Sequence, residues 1–193
     1  PGQLSRATGW EKLLERDLPE ALALIARVSY AMWLAHGEAL AALDRDVEAR
    51  TKGDDLVRRL QTIPYVGPVT SAAFRAHLGD LKRFRGRKAV TSYGGFAPSQ
   101  RDSGERSKRG GITREGPARL RALFVQAAHL LIGGGFKRHP QWRAWYERLL
   151  HRKSHRHIAV VAVAKRLYLL AYHVGKSGGT YQPPPPPSRE RPA

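Results

Sequence analysis

Apolar residues recur at three- and four-residue steps between Trp10 and Arg50: Leu14, Leu18, Ala21, Ile25, Val28 and Met32, then Leu40, Leu43 and Val47. That period lays them along one face of a helix. Pro19 falls inside the stretch and either opens a helix or kinks one. Mixed charges occupy the other face. The stripe suits a helical hairpin packed on the next domain, or a coiled-coil arm for self-association. Gly53-Asp54-Asp55 breaks the run and offers an N-cap. The pattern then predicts short helices over Asp55–Thr62, Val69–Leu78 and Arg87–Tyr93. A tight turn, Ile63 to Pro68, separates the first two, and Leu81–Phe84 forms a short connection. Pro117–Ile132 is a clear helix (RLRALFVQAAHLLI from Arg119), stopped by Gly133-Gly134-Gly135. Two more helices follow, His139–His151 and His157–Val174. The last is apolar almost all round and is expected to be buried. Only Tyr65–Thr70 and Ser92–Pro98 suit even short strands.

The predicted fold is therefore mostly α. A helical N-terminal arm covers residues 1–55, and a compact helical domain covers 56–176, containing a helix-hairpin-helix-like element. From Ser177 the composition changes to SGGTYQ, five prolines (Pro183–Pro187) and SRERPA. Such a segment builds no core and reads as a flexible or polyproline tail, 177–193. No internal repeat is visible.

Charge divides the chain differently. The 193 residues carry a net charge of +18. Pro1 to Arg59 hold nine basic and ten acidic residues, whereas Lys82 to Arg121 hold twelve and three, and Lys137 to Arg166 nine and one. A polyanion would be gripped by the two later blocks. The chain has no cysteine, which excludes disulfides and thiolate metal sites. The start lacks the apolar core of a signal peptide, and no uninterrupted apolar run reaches the roughly 18 residues of a membrane span. The first residue is proline, not methionine, so the chain reads as a fragment or a processed form.

Two motifs carry candidate chemistry. Ile63-Pro64-Tyr65-Val66-Gly67-Pro68-Val69-Thr70 resembles the turn of a helix-hairpin-helix element. There, side-chain-free positions let backbone N–H groups approach a phosphate. Val66, Gly67 and Thr70 are the candidate contacts. Tyr65 stands where the first glycine is usual, and Pro68 removes one donor, which weakens the clamp. An ordinary helical turn is the competing reading. The stretch from Gly94 to Gly116, GGFAPSQRDSGERSKRGGITREG, reads as a basic, glycine-punctuated loop. Ser103 precedes Gly104, among Arg101, Arg106, Lys108 and Arg109. Arg114, Arg119 and Arg121 follow. Cations so placed can hold a phosphate and stabilise the charge of phosphoryl transfer to a hydroxyl. Ser99 and Ser107 compete with Ser103, and spacing alone does not choose. Lys82, Arg83, Arg85, Arg87 and Lys88 form a phosphate-contact stretch with Phe84 as its aromatic anchor.

These motifs, in this order, resemble the C-terminal domain of a prokaryotic insertion-sequence transposase family. That family is related to the Piv-type DNA invertases, and some members are guided by a bridge RNA. The resemblance runs through Ile63-Pro64-Tyr65-Val66-Gly67, Leu78-Gly79-Asp80, Arg83-Phe84, Gly95-Phe96-Ala97-Pro98 with Ser103-Gly104, and Ile112-Thr113-Arg114-Glu115-Gly116. It extends to Trp142-Arg143-Ala144-Trp145-Tyr146 and roughly to Tyr172. It implies that Ser103 attacks DNA and becomes covalently joined to it, with Ser103 preferred over Ser99. It also implies a RuvC-like domain with four acidic residues that binds a divalent metal, Mg2+. Residues 1–55 offer no βαβ pattern for such a domain and read as a connector, so this chain alone is expected to be catalytically incomplete. The implied partners are DNA, a structured guide RNA and a second copy through the N-terminal helices, in a prokaryotic cytoplasm at the nucleoid, with no membrane.

Weaker signals remain. His151, His155 and His157 sit among Arg152, Lys153 and Arg156, without a neighbouring carboxylate or thiolate. They read as decoration of a phosphate-binding surface more readily than as metal ligands. Trp142 and Trp145 are expected to pack inside, with base stacking as the alternative. The rival to a transposase is a noncatalytic nucleic-acid-binding module.

Overall fold

The computed structural model describes residues 6–103, 106–152 and 155–183, with the side chains of 100–110 and 152 outside the description. The chain divides into two compact units between Arg50 and Thr51.

The first unit is two helices, α1 (Ala7–Leu14) and α2 (Glu20–Thr51). Pro19 does not kink one continuous helix. It stands at the mouth of α2, where its carbonyl accepts the N–H groups of Leu22 and Ala23 at 2.8 and 2.9 Å. Trp10 stacks on Tyr30 with centroids 5.8 Å apart, and Tyr30 on Trp33 at 6.1 Å. Beyond this ladder α2 buries only Ala26. Leu22, Leu24, Ile25, Val28, Met32, Leu40 and Leu43 are all at least half exposed, so most of the predicted stripe faces outward.

The second unit holds α3 (Asp55–Leu60), α4 (Pro68–Leu78), a 3-10 turn (Leu81–Arg83) and α5 (Arg87–Tyr93). A β-hairpin of β1 (Pro98–Ser103) and β2 (Arg106–Ile112) follows. Then come α6 (Ala118–Gly134), a second 3-10 turn (Gly135–Lys137), α7 (Pro140–Arg152) and α8 (Arg156–Ser177). The protein is mostly α, as its periodicity predicts. Asp54 caps α3 by accepting the Val57 N–H at 3.2 Å. The glycine run stops α6 later than predicted, because Gly133 and Gly134 remain helical.

The core gathers on α8, which packs against α3, α5, α6 and α7. Tyr168 lies at its centre, within 5.3–5.8 Å of the rings of Phe74, Phe96 and Phe124. Its hydroxyl donates to the Val90 carbonyl at 3.1 Å, and burial pushes the phenol far above its ordinary range. Tyr172 likewise donates to the Phe84 carbonyl at 3.3 Å. A buried hydroxyl that finds a carbonyl avoids the cost of an unmet polar group. By length and composition α8 could cross a membrane, but half of that stretch is buried inside this unit. Tyr181, assigned by composition to the tail, is part of the packed body. Its N–H donates to Thr62 Oγ1 at 2.8 Å, and its hydroxyl accepts from Trp142 Nε1 at 3.1 Å.

Candidate nucleic-acid interface

The turn between α3 and α4 explains the Tyr65 departure. Tyr65 adopts φ of +63°, the left-handed conformation that a glycine would take at little cost. Its ring is held in return, packing over Gly135 and lying edge-on to His139 with centroids 6.2 Å apart. Gly67 stands at the N-cap of α4 with nothing within 4 Å of a built Cβ, so backbone access there is open. The first-turn amides of Val69 and Thr70 have no carbonyl four residues back within the helix. Two predicted contacts, Val66 and Thr70, are instead buried residues, at 2% and 8% exposure. Of the three predicted contacts, only Gly67 is open to a ligand.

Lys82 and Arg83 on the 3-10 turn, Arg85 between the elements, and Arg87 and Lys88 at the start of α5 are all exposed. Arg83 lies over the rings of Phe84 and Tyr93, at 4.6 and 5.0 Å, which fixes its guanidinium on the surface. Among the described residues the ion pairs take up Arg50, Arg58, Arg59, Arg75 and Arg143. None of the five cations of this basic stretch is in one.

The predicted basic loop is a hairpin. Its two antiparallel strands pair Pro98 with Ile112, Gln100 with Arg109, Arg101 with Lys108, Asp102 with Ser107 and Ser103 with Arg106. Ser103 therefore ends β1 and Arg106 begins β2. The side chains of Ser103, Arg101, Arg106, Ser107, Lys108 and Arg109, and all of Gly104, lie outside the described residues. Periodicity missed the strands because few apolar residues alternate here; glycine and charge dominate the composition. A register irregularity between Pro98 and Gln100 sets Ser99 against Gly110 and Gly111. There Ser99 donates its hydroxyl to the Gly111 carbonyl at 3.0 Å.

Three glycines seat the hairpin on the core. A Cβ at Gly94 would lie 2.7 Å from the Tyr168 ring, one at Gly95 would lie 2.0 Å from the Glu115 carbonyl oxygen, and one at Gly116 would lie 1.9 Å from that of Tyr93. Gly95 and Gly116 also have φ of +68° and +85°, which side chains rarely adopt. Thr113 N–H donates to the Ala97 carbonyl at 2.8 Å and Arg114 N–H to that of Gly95 at 3.3 Å. Arg121, a predicted anion contact, is partly buried here and donates to the Gly94 and Glu115 carbonyls at 3.3 and 3.4 Å. Arg119 and Arg114 are exposed. Pattern reading singled out the glycines of this segment as punctuation; what they accommodate is visible only where two distant loops meet.

His151, His155 and His157 are exposed. Among the described residues no three His, Asp or Glu side chains converge as metal ligands; the resemblance places Mg2+ in the RuvC-like domain and not on these residues. Trp142 is buried, and Trp145 is partly so. Lys165, which pattern reading passed over, joins Arg87 and Lys88 around a cavity. Its signal was a Lys-Arg pair interrupting the apolar run of α8.

Residues 57–147 match the Transposase IS116/IS110/IS902 family. The protein named "Probable family 20 transposase" of Pseudomonas aeruginosa strain PAO1 is 27% identical over 131 residues, 68% of this chain and 39% of its own length. The "Transposase for insertion sequence element IS1111A" of Coxiella burnetii is 27% identical over 174 residues, covering 84% of this chain and 47% of that protein. The "Transposase for insertion sequence element IS1328" of Yersinia enterocolitica is 25% identical over 167 residues, 86% of this chain and 50% of that protein. The chain thus spans half or less of these relatives.

Proposed function

We propose that this chain is the C-terminal part of an insertion-sequence transposase. In this reading it binds DNA and a structured guide RNA, and supplies Ser103 as the nucleophile for strand cleavage and rejoining. The hairpin register carries the reading: Ser103 pairs with Arg106, Arg101 with Lys108, and Gln100 with Arg109. A serine at the end of a two-stranded ribbon bearing four cations suits phosphoryl transfer, whose transition state spreads negative charge over oxygens. The Ser103 hydroxyl oxygen bonds to phosphorus and gives up its proton, while the bond from phosphorus to one strand oxygen breaks. That oxygen takes up a proton and leaves as a hydroxyl. The phosphoserine link keeps the phosphorus activated, so a strand hydroxyl can attack it and restore a phosphodiester. The backbone at Gly67 and the cations Lys82, Arg83, Arg85, Arg87 and Lys88 would hold the flanking phosphates. The exposed apolar residues of α2 support a further element of the proposal, self-association through the N-terminal helices. Sedimentation of a chain lacking residues 1–50 tests it, and an unchanged oligomeric state removes it.

The chemical test supplies this chain with the remainder of the enzyme, guide RNA and labelled DNA, and runs the products on a denaturing gel. The expected result is a protein–DNA adduct that is lost in Ser103→Ala while noncovalent binding survives. An adduct that persists in Ser103→Ala overturns the role of Ser103. Binding without any adduct leaves the noncatalytic helix-hairpin-helix module as the reading. The binding constant should fall steeply with salt, by about 0.9 log units per phosphate contact for each tenfold rise. Binding indifferent to salt would defeat every nucleic-acid reading.

A further inference from the structure

Two cavities adjoin between α5, the base of the hairpin, α7 and α8. The first, of about 590 Å3, is lined by Arg87, Lys88, Ser92, Pro98 and Lys165. The second, of about 530 Å3, has Arg87, Lys165, Arg166 and His173 around Trp145, Leu169 and Leu170. Arg87, Lys165 and Leu169 border both, which makes them one groove. No carboxylate is among the described residues that line it. Arg166 is partly buried, with its guanidinium 4.5 Å from the Trp145 ring centroid and 5.3 Å from that of Trp142. Among the described residues it joins no ion pair. A cation withdrawn from water without a counter-charge is costly, and a bound anion relieves that cost.

Cations and apolar surface are thus combined in one concavity. A phosphate alone would use the cations and leave the partly exposed Trp145 and Leu170 wet. A duplex would offer its phosphates but keep its bases paired and stacked away from the floor. A single strand can do both, because an unpaired base is free to turn onto an aromatic or guanidinium surface.

We infer that this groove binds a single, unpaired nucleic-acid strand, with phosphates on Arg87, Lys88 and Lys165 and a base against the floor of Trp145 and Leu170. The inference rests on the nucleic-acid reading above and deepens it by naming the form of the partner. The groove borders Pro98, the first residue of the strand that ends at Ser103, so the bound strand enters at the root of the hairpin.

The test measures fluorescence anisotropy of the full chain with three labelled probes: oligo-uridine and oligo-thymidine of about 12 nucleotides, and a DNA duplex of about 20 base pairs. Lys165→Glu and His173→Glu alter the groove without touching the hairpin or the α3–α4 turn. Arg138→Glu, at an exposed position outside the groove, controls for the change in charge. Circular dichroism checks that each variant folds, and two independent groove variants guard against one failing. The expected result is a loss of at least about tenfold for one or both single strands, with duplex binding within about threefold of wild type. Which probe responds tells RNA from DNA. Single-strand and duplex affinities that fall together, as in Arg138→Glu, overturn the inference. If the wild type binds the duplex but neither single strand, the groove fails and the DNA reading stands; if it binds nothing, both fail.

Discussion

Gly116→Ala tests how the hairpin is held. A Cβ at Gly116 would lie 1.9 Å from the Tyr93 carbonyl oxygen, well inside the 3.4–4 Å of ordinary contact. The obstacle is backbone, so no side-chain rotation relieves it. Alanine would also have to hold φ of +85°, at a cost of about 1–2 kcal/mol. Parting the two segments strains the Arg114 N–H bond to Gly95, at 3.3 Å, and the Arg121 bonds to Gly94 and Glu115, at 3.3 and 3.4 Å. Each is worth about 0.5–1.5 kcal/mol, and their length argues for the low end. The total is about 2.5–3.5 kcal/mol, a large share of the ~5–15 kcal/mol that holds a typical domain. Urea unfolding followed by tryptophan fluorescence measures the loss, and amide exchange at Thr113 and Arg114 reports whether the hairpin root opens first. Gly111→Ala is the control: it has no neighbour within 4 Å and no positive φ, and should cost less than about 1 kcal/mol. If Gly116→Ala matches Gly111→Ala, the hairpin is not seated by this contact and the reasoning fails.

Asp54→Ala should cost about 1 kcal/mol through loss of the α3 cap. Burial pushes the Asp54 carboxyl up, but the Arg75 hydrogen bond, the Val57 N–H and the Arg75 charge together hold it below its ordinary 3.8. A lowered carboxyl stabilises the fold above its unfolded value and loses that contribution as pH falls through the folded value. The variant's deficit should therefore be full near neutrality and shrink below about pH 3.8; urea midpoints that keep a constant gap down that range would contradict the assignment. Gly135→Ala should cost about 1–3 kcal/mol by pressing a methyl against the Tyr65 ring, whose nearest atom lies 2.5 Å from the built Cβ. Combined with Tyr65→Ala it should cost less than the sum of the two, and strict additivity in the thermodynamic cycle would show that the contact is not made.

The helical elements, the Asp54 cap and the burial of the last helix were legible in the chain because each depends on residues a few positions apart. Helical period and capping are local, and an apolar run declares its need for cover. The same logic failed between Pro98 and Ile112. A ribbon rich in arginine, lysine and glycine shows no alternation, and its strands exist because each supplies the other's hydrogen bonds. Candidate cations were equally visible, but their assignments were not. Arg121 is engaged at the hairpin root and Thr70 is buried, while Arg87, Lys88 and Lys165 share a cavity although Lys165 is far along the chain from the other two. The sequence by itself determined the helical class, the concentration of positive charge and the motif order. Only the tertiary structure decided which glycines admit another backbone, where Tyr65 takes a glycine's conformation, and which cations face one groove, because all three are properties of segments brought together from distant parts of the chain.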